Sequence, residues 1–190
     1  MARLFDLSST RTLQICLKST VSLGLMLCLS TQASAHVSVQ PKTTGSGPFK
    51  AVFRVPHGCE GQATTGVRIV IPEGIIGVKP QPKPGWNVQT TKGKHARAYD
   101  YFHGRKEAEG VKEVAWTEGN LPNDFFDEFA IVGFVTDGFT EGQKAYFKIY
   151  QTCATGQLDW VEIPLSDDPE TKLKSPAPAI TIEGAQHHHH

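Results

Sequence analysis

His36 follows Ala33-Ser34-Ala35, the small-x-small pattern at which a signal peptidase cuts. Cleavage after Ala35 leaves His36 with a free α-amine beside its imidazole, so one residue offers two nitrogens to a single ion. Amine and Nδ1 close a chelate ring. Copper(II) favours such tetragonal N,O ligation and stands highest in the divalent affinity order. A free α-amine titrates near roughly 7.7–8, so neutral pH permits part of the deprotonation and a bound metal completes it. Softer donors are scarce beyond the cut: Met1, Met26, Cys16 and Cys28 all precede it. Cys59 and Cys153 remain, and in an oxidising compartment they are expected to form one disulfide. Closing so long a loop stabilises the fold by about 3–5 kcal/mol in the chain-entropy model. The competing reading of the pair is a two-thiolate metal site.

The other candidates carry weaker signals. His57 lies in Pro56-His57-Gly58-Cys59 and is expected to shape a turn beside the disulfide. His95 and His103 fall in the polar segment 93–105 and are expected to be exposed, whereas Trp86 and Trp116 are expected in the core. No Ser-His-Asp pattern with local support, phosphate loop or zinc-spaced cysteine set is present. The terminal histidines, 187–190, read as a tag-like stub that would bind metal adventitiously.

These residues need a scaffold, and the sequence describes one. Residues 1–35 read as a signal peptide: Arg3, Arg11 and Lys18 precede an apolar run at 21–29, too short for the roughly 20 residues a membrane span needs. Bulky Leu27 before Cys28 argues against a lipoprotein signal. Without Arg3, Arg11, Lys18 and Asp6, the 19 basic and 19 acidic residues become 16 and 18, with no basic run. Nucleic acid and anionic membrane surfaces are therefore not expected partners.

Beyond the cut, stretches rich in Val, Ile, Phe and Thr recur at 36–40, 49–55, 65–71, 86–90, 99–102, 112–117, 125–135, 144–150 and 160–163. Alternation in 49–55 and 67–71 is the period-2 sign of half-buried strands. Turn signals such as Pro72-Glu73-Gly74, Lys83-Pro84-Gly85 and Asp137-Gly138 separate them. The expectation is all-β: a single antiparallel, immunoglobulin-like β-sandwich over residues 36–166. Residues 167–190, with Asp-Asp-Pro-Glu and Ser-Pro-Ala-Pro-Ala, read as a flexible tail.

From His36 to about Pro164 the chain resembles the YcnI-like family of exported bacterial copper-binding domains. The resemblance is carried by His36-Val37-Ser38-Val39, Arg54-Val55-Pro56-His57-Gly58-Cys59-Glu60-Gly61, Thr64-Thr65 and Ile71-Pro72-Glu73-Gly74. It continues through Pro84-Gly85-Trp86, Leu121-Pro122, Phe126-Asp127-Glu128-Phe129, Gln151-Thr152-Cys153 and Trp160-Val161-Glu162-Ile163-Pro164. It implies one Cu(II) in a monohistidine brace, with His36 giving amine and imidazole, a carboxylate completing the set and a tryptophan close by. Carried onto this chain, the carboxylate is Glu128, with Glu162 and Glu60 as alternatives, and the tryptophan is Trp160.

The implied function is periplasmic copper capture or trafficking without catalysis, with copper chaperones and a membrane copper importer as partners. A copper oxidase resembling the polysaccharide monooxygenases would need a second histidine, drawn from His57, His95 or His103. A third reading is a protein-interaction module with a structural metal.

Overall fold

The computed structural model describes residues 36–165 and 172–184. The expected signal peptide and the terminal histidines lie outside them. The first sheet contains β1 (Ser38–Gln40), β3 (Gly47–Val55), β8 (Asp127–Val135) and β5 (Ile75–Pro80), in the order β1-β3-β8-β5. The second contains β4 (Thr64–Val70), β6 (Asn87–Asp100), β7 (Lys106–Thr117), β10 (Lys148–Cys153) and β11 (Gln157–Trp160), in the order β11-β10-β4-β7-β6. All pairings within these two sheets are antiparallel. A third, small sheet joins β2 (Thr43–Thr44), β12 (Ala179–Ile182) and β9 (Lys144–Tyr146), with β12 parallel to β2. The fold is the expected β-sandwich.

The alternation seen in the sequence becomes the core. Along β3, Phe49, Ala51, Phe53 and Val55 point inward, and Phe129, Ile131 and Val135 do so from β8. Val67, Ile69, Val114, Trp116 and Ile149 meet them from the second sheet. Ring contacts key the layers: Phe53 packs edge-on to Phe147 at 5.0 Å, and Phe129 takes Trp86 at 4.9 Å and Trp116 at 5.4 Å. Both tryptophans thus join or pack against the core as expected, with Trp116 fully buried and its Nε1–H donating to the Gln81 carbonyl at 3.1 Å.

Two expectations are corrected. Residues 172–184 belong to the fold rather than to a flexible tail. Ala177, Ile180 and Ile182 are buried, and β12 pairs on both sides. Proline-rich composition hid this, because one short apolar run suffices to add a strand. The expected exposure in segment 93–105 holds for His103 but not for His95, because the segment forms the outer half of the β6–β7 hairpin. Lys94 pairs with Glu109 and Tyr99 with Glu107, so β6 carries extra residues in a bulge that turns the His95 ring inward.

Candidate metal site

His36 sits immediately before β1. Val37 and Val39, 3% and 0% exposed, anchor that short strand in the core, and Ser38 pairs with Arg54 of β3. β1 ends the first sheet and β11 ends the second, so this is an edge of the sandwich. Trp160, the last residue of β11, is buried from the second sheet, and its indole meets the His36 ring at 5.6 Å between centroids and 69° between planes. The two residues that the sequence placed in one site are in contact. His36 itself remains partly exposed.

Behind the indole lies a polar group that the sequence reading did not single out. The Trp160 Nε1–H donates to Gln151 Oε1 at 3.0 Å, and Gln151 Nε2 donates to the His57 carbonyl and to Thr64 Oγ1, each at 2.7 Å. Gln151 and Thr64 are both 0% exposed. The only earlier signal for Gln151 was its place in Gln-Thr-Cys, since period-2 burial does not tell a buried amide from an exposed one.

The Cys59–Cys153 disulfide is formed, with Cα atoms 6.0 Å apart and the residues 94 positions apart in sequence. It consumes both thiols and removes the two-thiolate reading. It also fixes the turn that carries His57: Cys59 and Gln62 exchange backbone hydrogen bonds, and Gly58 lies so close that a Cβ there would meet the Gln62 carbonyl oxygen at 1.7 Å. His57 is therefore a turn residue, as expected, with its carbonyl committed to Gln151.

The carboxylates separate by location. Glu128 is exposed near the start of β8, in register with Arg54, which is in turn in register with Ser38. Two strand spacings put its Cα about 10 Å from that of Ser38. Its side chain lies on the outer face of the first sheet, lining an open cavity of about 380 Å³ with Lys50, Val52 and Lys83. Lys83 Nζ pairs with Asp127 Oδ1 at 2.6 Å and donates to the Glu128 carbonyl at 3.1 Å. Glu162 instead accepts the Ser175 amide at 2.8 Å, while its own backbone pairs with Ser175 and Ala177. Glu60 is exposed in the disulfide turn, in the left-handed region at φ 49°.

The remaining histidines lie elsewhere. His103 is exposed at the tip of the β6–β7 hairpin. His95 contradicts its expected exposure. Its side chain is fully buried, with Nε2 3.4 Å from Glu107 Oε1 and Nδ1 3.8 Å from Glu73 Oε1. Burial alone would raise the Glu73 carboxyl, but hydrogen bonds from Lys112, the Ala96 amide and Tyr99 outweigh it and hold the group below its ordinary value.

Known proteins share both sequence and fold with this chain. Copper-binding protein CutI of Bacillus subtilis is 27% identical over 152 residues, which cover 78% of this chain and 66% of that protein, just under two thirds of its length. A crystal structure of an uncharacterized Nocardia farcinica protein with an immunoglobulin-like fold aligns with a TM-score of 0.56 at 22% identity, covering 78% of this chain and 99% of that one. The family described as a domain of unknown function, DUF1775, matches residues 36–182, and the chain belongs to this YcnI-like family.

Proposed function

We propose that the processed chain binds one copper(II) ion through a monohistidine brace at His36 and handles copper in the bacterial periplasm without catalysing a reaction. The observation that carries this reading is the His36 ring, partly exposed at an edge of the sandwich and packed against Trp160. The name of CutI supports the choice of metal. The donor types fit copper(II): an imidazole at the chain position where processing would free an amine, with carboxylates rather than free thiols left to complete the set. A brace draws on few residues, since His36 supplies two donors and Glu128 is the proposed third. Periplasmic chaperones and a membrane importer are the proposed exchange partners.

The test separates a brace from an ordinary histidine site. Protein starting at His36 and lacking residues 187–190 is titrated with Cu(II) by calorimetry, beside protein carrying one extra residue before His36. The extension turns the amine into an amide and breaks the chelate while keeping every side chain. It is expected to weaken binding at least tenfold, or about 1.4 kcal/mol. Equal affinities for the two forms would overturn the brace.

A further inference from the structure

We propose that Gln151 is a positioning residue of this site: its buried amide fixes the Trp160 indole against His36. The proposal rests on the copper-binding reading for its consequence but not for its geometry. The amide has one orientation that satisfies its neighbours. The indole N–H can only donate and the His57 carbonyl can only accept, so Oε1 must face Trp160 and Nε2 must face His57. Both Nε2 hydrogens are then used, one on His57 and one on Thr64 Oγ1. A flipped amide would set NH₂ against the indole N–H and oxygen against a carbonyl, with no water able to compensate at 0% exposure.

On its far side this group packs against the disulfide. Thr64 Oγ1 lies 3.9 Å from Cys153 Sγ, and Cys59 Sγ lies 4.0 Å from the Gln151 carbonyl. One sulfur thus packs against the backbone of Gln151 and the other against the hydroxyl that accepts from its amide. On the same inner face of β10 and β11, Gln151 pairs with Leu158, two residues from Trp160, so the side chains are diagonal neighbours that need no backbone distortion to meet. The resulting chain runs from the disulfide turn through one amide to the indole and on to the His36 ring. Groups that orient a metal ligand typically change metal affinity about 10–100-fold when removed, and Gln151 reaches the His36 ring through the indole that packs on it.

The experiment uses processed, tag-free protein and two readouts. In metal-free protein, NMR follows the Trp160 indole N–H and its nuclear Overhauser contact to the His36 ring. Gln151→Met, similar in length and unable to hydrogen-bond, is expected to speed exchange of that N–H and abolish the contact. Gln151→Asn, too short to reach Trp160 and His57 together but still polar, serves if the methionine variant does not fold, with the same expectation. An unchanged indole signal and contact in the folded variant would overturn the proposal.

Calorimetry with Cu(II) then reads the consequence. Gln151→Met and Trp160→Phe are each expected to weaken binding about tenfold. The double variant should be no weaker than the single ones, because the amide acts through the indole. Additive losses would show that Gln151 does not act through Trp160 and would overturn that route. Wild-type protein without His36-dependent copper binding would sink the proposed function, while the indole arm would still decide whether Gln151 positions Trp160.

Discussion

Glu128 and Glu162 carry the same carboxylate, yet the fold commits them differently. Glu162 Oε2 already accepts the Ser175 amide, so metal binding there would cost a backbone hydrogen bond. Glu128 is exposed and its side chain is the freer of the two to turn toward an ion. Glu128→Ala is expected to weaken Cu(II) binding by less than His36→Ala does, and Glu162→Ala to leave it unchanged while lowering the melting temperature. Calorimetric titration and thermal unfolding of the three variants check this, and a copper loss specific to Glu162→Ala would reassign the third ligand. At this scale the sequence was informative where chemistry is local. The expected cut pointed to His36, and the family resemblance, not a local signal, pointed to Trp160; the two rings touch. Gln151 and His95 were not legible, because what makes each notable is a set of partners far away in sequence: Thr64 and His57 for one, Glu73 for the other.

Among elements, the disulfide joins the turn after β3 to the end of β10. Removing it with Cys59→Ala and Cys153→Ala is expected to cost about 3–5 kcal/mol in denaturant unfolding. It should also release the His57 turn, and a cost below about 1 kcal/mol would mean that the turn holds without it. The turn between β4 and β5 carries a pH-dependent contribution, because Glu73 there takes hydrogen bonds from Ala96 and Tyr99 of β6 and from Lys112 of β7. Glu73 has a lower value folded than its ordinary 4.5, so it favours folding when ionised. That stability is present above pH 4.5 and fades as pH falls through the lowered value. Glu73→Gln is therefore expected to lower the melting temperature at pH 7, with the deficit closing in acid; a deficit that does not change with pH would refute this. Strands with clean alternation, such as β3 and β4, were readable within two residues. β5 was missed because Gly77 and Pro80 interrupt it. Segment 144–150 was read as one strand, whereas the chain breaks it at Phe147, whose ring goes to the core against Phe53.

The molecule as a whole has two large sheets, each with open sides. One side, at β1 and β11, carries the proposed metal site; the second sheet ends on its other side at β6, 14 residues long and exposed along most of its length. The outer edge of a strand of that length, without a partner among the described residues, is a template on which another chain can add its own strand, and natural sheets guard such borders with lysines and bulges. β6 has both, in Lys92 and Lys94 and in the register break that follows them. The polar hairpin thus serves as a barrier against intermolecular strand addition. Lys92→Val with Lys94→Val is expected to leave copper binding intact and to shift the protein toward concentration-dependent oligomers and fibrils. Sedimentation velocity and thioflavin fluorescence would register that shift, and a variant that stays monomeric would show that the bulge alone keeps neighbouring chains apart.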